Sequence, residues 1–263
     1  MTFREIVLIA WIFLTACVAL ADEKTDALFK AIRSRDVATV KAMLADDLSL
    51  LNAKDEQSGI VEAALFLNDG HGFVPVQSNA TLQAILAHKP HLDLFTLAAL
   101  GDATGLRRRL TADASLVRAR NQFGWTPLHM AAFAGNVPNA RLLLDHGAAV
   151  NERAKTKFRN TPLLVAMLTG QYDVARLLLD RGADVLDRQS NGFTAMHEAA
   201  LLGRNDIIQL LLDRGAELNS RTDDGRSPLS EAIRGKHAET VELLKSKGAT
   251  AEGGNAKLSE SPD

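Results

Sequence analysis

Apolar and polar positions along the chain fall into short helical patterns that return at a fixed interval. "GWTPLHMAAFAGN" at 124 is followed by "RNTPLLVAMLTGQ" at 159, "GFTAMHEAALLGR" at 192 and "GRSPLSEAIRGKH" at 225. The leading hydroxyl residues Thr126, Thr161, Thr194 and Ser227 stand 35, 33 and 33 positions apart. Each block runs on into a second apolar stretch: "ARLLLDHGAAVN", "ARLLLDRGADVL", "IQLLLDRGAELN" and "VELLKSKGAT". A period of this length predicts a stack of like supersecondary units. Thr126 reads as an N-cap whose hydroxyl accepts an otherwise unpaired helix N–H, and Pro127 takes the first helical position, where no N–H is needed. Leu128, Ala131 and Ala132 bring neighbouring helices close. Gly135 ends the first helix, and Gly147, Gly182, Gly215 and Gly248 end the second ones. A single pair of such short helices cannot bury its apolar face, so stability has to come from stacking.

The pattern continues upstream in degenerate form. "LFTLAALGDATGLRRRLTADASLVRARN" from 94 aligns with "LFKAIRSRDVATVKAMLADDLSLLNAKD" from 28 at an offset of 66, twice the period. Between them lie two apolar segments around an enlarged loop. The TPLH box, the AAxxG turn and the LLLxxGAdvN segment make this chain resemble the ankyrin-repeat family. The resemblance implies an all-α solenoid of about seven helix-turn-helix units with turn or β-hairpin tips. The units fall near 25–57, 58–91, 92–123, 124–158, 159–191, 192–224 and 225–250, within an array spanning 22–250. Polar end units suit a solenoid's exposed faces. The first carries Lys30, Arg33 and Arg35; the last carries Glu231, Arg234, Lys236 and Lys245. Residues 251–263 lack apolar periodicity and read as a disordered tail.

Residues 1–21 read as a signal peptide outside the fold: Arg4, the apolar "IVLIAWIFLTA", and a small-x-small site, Ala19-Leu20-Ala21, before Asp22. "LTAC", Leu14 to Cys17, resembles instead a bacterial lipobox, which would leave a lipidated Cys17 and a membrane-anchored envelope lipoprotein. Cleavage after Ala21 gives a periplasmic or secreted product without cysteine, hence no disulfide framework, thiol nucleophile or cysteine metal site. The composition, 46% hydrophobic and 24% charged at a net charge of -2, is that of an ordinary globular protein and offers no electrostatic case for nucleic acid. "RRRL" at 107–110 reads as a solvated helix face.

His129 and His197 follow Thr126 and Thr194 by three positions. In the ankyrin family this histidine bonds the threonine and the backbone of the adjoining turn. The resemblance therefore implies structural roles for Thr126, His129, Thr161, Thr194, His197 and Ser227. Leu164 and Ser230 at the matching positions speak against catalysis. His88 and His91 flank Pro90 in "HKPH" with no third ligand nearby in sequence, and His71 sits in a "GHG" loop. No GxSxG, HExxH, P-loop or CxxC pattern is present, and no cofactor, metal or small-molecule substrate is expected.

The resemblance implies a non-enzymatic scaffold, exported across the inner membrane, that binds another protein through its tips and concave groove. An enzyme with an unrecognised site is the remote alternative. Leu100, Phe133, Leu168 and Leu201 recur at steps of 33, 35 and 33, a row that stacking would align as an apolar stripe. The other reading is that they fill gaps between repeats. The tips "NQFGW", "KTKFRN", "QSNGF" and "TDDGR" carry Phe123, Trp125, Phe158, Arg159 and Phe193 among arginines and lysines, anchors suited to an acidic protein surface. Here the other reading is that the aromatics fold inward. Trp125 and Phe133 flank the box, one expected to face a finger and the other the groove.

Overall fold

The computed structural model describes residues 23–54, 59–66 and 79–251. Among them are fourteen α-helices, two short 3-10 turns and no strand. The residues read above as a signal peptide or lipobox with Cys17, His71, and the residues from 252 onward lie outside the described residues. Among the described residues no helix is long and apolar enough to cross a membrane.

The chain divides into two compact units, meeting at Leu106 and Arg107. The first contains α1 (Glu23–Ser34), α2 (Val37–Asp46), α3 (Ile60–Leu65), α4 (Ala80–Leu86), α5 (Leu94–Leu100) and the start of α6 (Ala103–Ala112). Helices α1, α2, α3 and α4 pack around Leu28, Ile32, Leu44, Ile60, Leu65, Leu82 and Ile85, all fully buried. Removing each such side chain from water contributes about 2 kcal/mol. Where the first helices of the later repeats use Thr or Ser as N-cap, the first helix α5 uses Asp93, while the second helices α2 and α4 use Asp36 and Asn79, as Asn136 does later in the chain. Asp36, Asn79 and Asp93 accept the N–H groups of Thr39, Leu82 and Thr96 at 3.0, 2.9 and 2.7 Å. Asp93 stands one period before Thr126, so the same capping physics operates with a different side chain.

The second unit holds α7 (Pro127–Phe133), α8 (Val137–Asp145), α9 (Pro162–Leu168), α10 (Tyr172–Asp180), α11 (Ala195–Leu201), α12 (Asn205–Asp213), α13 (Pro228–Arg234) and α14 (Ala238–Ser246). The first helices α7, α9, α11 and α13 pack in succession, each also against the second helix of its own repeat. Small residues allow this approach: Ala131, Ala132, Ala166, Ala199, Ala200 and Ala232 have no exposed surface beyond 0%. Leu143, Val174, Leu178, Ile207, Ile208 and Leu211 fill the layer between first and second helices.

Of the expected turn or β-hairpin tips the structure has tight turns, with only isolated bridges (Lys54 with Gly59, Arg188 with Thr194) among the described residues. The fingers are too short for a ladder. Each closes on itself and accepts one backbone hydrogen bond from the next. The N–H groups of Lys155, Ser190 and Asp223 donate to the carbonyls of Gly124, Phe158 and Asn191 at 3.1, 3.2 and 3.0 Å. Gly124 shows why glycine stands there. Its φ is +72°, and a Cβ would come within 2.7 Å of the Lys155 Cβ.

Candidate functional site

At the root of each finger a histidine or serine locks the turn to the helix. The Thr126 N–H donates to His129 Nδ1 at 3.2 Å, the Thr126 hydroxyl lies 2.7 Å from the same nitrogen, and Nε2 is 3.0 Å from the Asn160 carbonyl of the next repeat. An atom that accepts a backbone N–H carries a lone pair, so the proton sits on Nε2 and the ring is neutral. Burial, opposed by the Asn160 carbonyl, brings the His129 imidazole down to about 4. His197 repeats the arrangement, with Thr194 at 3.3 and 2.8 Å and the Arg226 carbonyl at 3.1 Å, and is likewise brought down to about 4 by burial. In the last repeat Ser227 and Ser230 close the box reciprocally, at 2.8 and 3.2 Å. The repeat that begins with α9 departs from the scheme. Leu164 replaces the histidine, and the buried Thr161 hydroxyl has no hydrogen-bond partner among the described residues.

A second device joins the fingers, and the sequence reading did not identify it. Arg120, Arg153, Arg188 and Arg221 recur at steps of 33, 35 and 33. Each guanidinium donates to a main-chain carbonyl one repeat ahead. Arg120 reaches the Arg153 carbonyl at 3.0 Å, Arg153 the Arg188 carbonyl at 3.3 Å, Arg188 the Arg221 carbonyl, and Arg221 the Ala251 carbonyl at 3.0 Å. Arg120 and Arg153 also pair with Glu152 and Asp187. These arginines are staples between repeats, so Arg120, Arg188 and Arg221, counted in sequence among the arginines around the finger aromatics, are tied to the main chain of the next repeat. The signal was present, since the arginines keep the period of the box.

The aromatic residues separate into two positions. Trp125 and Phe193 directly precede the capping threonines and lean on the box histidines, with ring centroids 6.1 and 5.0 Å from His129 and His197. Phe193 is only 2% exposed, with the Arg226 guanidinium 5.6 Å from its ring centre, so it is a core residue and no exposed tip anchor. Trp125 is half-buried and lies 5.6 Å from Phe133, centroid to centroid. The two therefore form one patch instead of facing opposite ways, because the turn before the helix folds the indole back across its first turns. Phe123 and Phe158 sit two residues earlier and are half-buried. Arg159 is exposed, and the Lys157 ammonium stands 4.9 Å over the Phe158 ring.

Within the second unit the apolar row is partly withdrawn. Phe133 and Leu201 are 4% and 8% exposed and do fill space between repeats, whereas Leu168 is half-buried. Leu100 ends α5 in the first unit and is also half-buried. Beside the row lie two acids missed as a pair. Glu198 and Glu231, at the fifth box position of α11 and α13, are 3% and 0% exposed. The expectation that Glu231 is a solvated end-face residue is thus overturned. Arg226 holds it at 2.9 Å, and Arg234 holds it through Nε at 2.8 Å. Burial first, and the Glu231 charge second, push Glu198 up to about 7 against the pull of Arg234. Around His88 and His91 no group of three or more potential metal ligands gathers among the described residues.

The arrangement is a row of fingers with a polar-apolar face, in which Nδ1 of both buried rings is taken up by the capping threonine and Nε2 by a main-chain carbonyl of the next repeat. No curated protein matches the chain. The family model described as ankyrin repeats (3 copies) matches residues 94–189 and 186–253. That match takes in more than half of the 263 residues and the clasps and staples just described, and the chain belongs to the ankyrin-repeat family.

Proposed function

We propose that the second unit is a docking module, exported across the inner membrane, that captures a protein partner on its fingers. Ankyrin repeats are protein-protein interaction modules, and one observation supports the finger at 153–160 as the contact point. Gly124, Gly192 and Gly225 hold the left-handed corner in three fingers, at φ +72°, +79° and +82°, while the fourth holds Arg159 at φ +54°. A side chain in that conformation costs roughly 1 kcal/mol. Its guanidinium has no hydrogen-bond partner among the described residues. Strain without internal return is characteristic of contact sites. Exposed Lys155 and Lys157 stand alongside, so the finger suits an acidic protein surface.

Capture of a binder by the mature protein tests this. Phe158→Ala and Arg159→Ala should weaken capture while leaving thermal unfolding in place, and capture should fall as salt rises. Unchanged capture by both variants refutes the finger assignment. "LTAC" supports a second reading, a lipid anchor at Cys17 that places the module on a membrane surface. Mass spectrometry of the mature N-terminus separates the two by finding either Asp22 or diacylated Cys17.

A further inference from the structure

The repeats offer an internal comparison that points to a specific partner chemistry. The fifth box position holds Met130, Val165, Glu198 and Glu231 in α7, α9, α11 and α13, every one of them buried. Apolar residues fill this place without desolvating a charge, so the two acids need an explanation. Glu231 has one inside the chain. Arg226, from the residue before its capping serine, and Arg234, three residues further along the helix, bond its carboxylate oxygens. One period earlier the same two places around Glu198 hold Phe193 and Leu201. Oε1 of Glu198 is buried and has no hydrogen-bond partner among the described residues. The neighbouring charges are Glu231, which repels, and Arg234, whose guanidinium is already bonded to Glu231. Tyr172, which opens α10, senses the Glu198 charge from the preceding repeat, but its own ring is covered by the Arg204 guanidinium 3.6 Å away.

We propose that Glu198 is the charge-recognition point of the docking face and receives the guanidinium or ammonium of an arginine or lysine presented by the partner protein, in the role that Arg226 and Arg234 play for Glu231. This rests on the docking reading above. Glu198 and Leu201, at i and i+3, share one helix face, so the cation arrives with apolar neighbours, and half-buried Leu168 and Leu202 border the same repeats. The partner segment is therefore mixed, one basic side chain among apolar ones, and is distinct from the acidic surface that suits Arg159. Because burial raises Glu198 to about 7, so that it is partly protonated near neutrality, docking of the cation displaces that proton and affinity rises with pH through 7.

The test uses the mature protein and a library of apolar peptides that each carry one arginine, together with the same peptides carrying neutral citrulline there. Arginine peptides should bind about tenfold or more tightly than their citrulline twins, a difference of one decade in Kd. The preference should vanish in Glu198→Gln and grow between pH 6 and pH 8. In the wild-type protein, carbon NMR of the Glu198 carboxyl provides a reading that needs no variant: its titration should move to lower pH when an arginine peptide is added. Twins bound alike, a preference kept in Glu198→Gln, or an unmoved Glu198 titration overturns the cation assignment and leaves docking by the fingers standing. Arginine amide binding as tightly as the peptides overturns the protein partner in favour of a small cation. If no peptide binds while a finger-dependent binder is still captured, the Glu198 site fails alone; if that capture is also indifferent to Arg159→Ala, the docking reading fails with it.

Discussion

Replacing both box histidines by leucine should reverse the sign of the pH dependence of stability. Leucine is the residue that the chain itself uses at this place in α9, as Leu164, so the substitution has a packed precedent. At pH 7 each His→Leu change strands the Thr126 or Thr194 N–H and a carbonyl of the next repeat, costing about 1–3 kcal/mol per site. The imidazoles have folded values of about 4 against 6.5 unperturbed. A group depressed in the fold contributes stability that is full above its unfolded value and is lost as pH falls through the folded one. Each histidine thus gives a slope of about +1.4 kcal/mol per pH unit between those limits, or roughly 3 kcal/mol in all. Glu198 runs the other way. Raised from 4.5 to about 7, it contributes stability at acid pH that is lost as pH rises through 7, with a slope of about -1.4 kcal/mol per unit. Between pH 4.5 and 6.5 two positive slopes outweigh one negative slope, and the wild-type protein should gain about 1.4 kcal/mol per unit, with these three groups placing the maximum near pH 6.5. Asp206 and Asp224, where partial desolvation is outweighed by hydrogen bonds from Arg204 and from Thr222 and Arg226 respectively, are lowered from 3.8 and titrate outside this window. In His129→Leu/His197→Leu only Glu198 remains, so stability should fall with pH across the same window. Urea unfolding followed by circular dichroism at half-unit pH steps measures both slopes. A double variant that keeps the positive slope, or nitrogen NMR showing wild-type imidazoles that titrate near 6.5, would refute the neutral-clasp account.

Two further predictions concern the fingers. Arg159→Gly should raise stability by about 1 kcal/mol by relieving the left-handed corner, while lowering partner capture; a variant less stable than the wild-type protein in thermal melting would show that the arginine side chain supports the fold. Arg153→Gln removes the staple to the Arg188 carbonyl and leaves the Asp187 carboxylate, 6% exposed, without its cation, so it should cost about 2–3 kcal/mol and speed amide exchange of the Ser190 N–H that links neighbouring fingers; exchange at the wild-type rate would show that the backbone bonds hold the fingers unaided.

Much of this molecule is legible in its sequence because repetition samples the same physical problem several times. Thr126, Thr194 and Ser227 recur with a partner three residues on because a helix start always leaves N–H groups to satisfy, and the local spacing is enough to see it. The alanines at 131, 132, 199 and 200 declare close helix packing for the same reason. What tertiary structure alone decided are the contacts made across the period, where the partner lies some 30 residues away and its direction is not written locally. Arg120 and Arg153 look like exposed finger charges until the next repeat brings its carbonyl and acid to them. Phe193 looks like an exposed tip until Arg226 of the next repeat closes over it, and within one repeat Trp125 looks separate from Phe133 until the turn folds it back. Glu198 and Glu231 carry the same side chain at the same box position, yet Glu231 is neutralised by Arg226 and Arg234, where Glu198 has Phe193 and Leu201, and the stack sets the Glu231 charge one period away against Glu198. Helix starts and packing faces follow from neighbours in sequence; charge and exposure follow from neighbours in the stack.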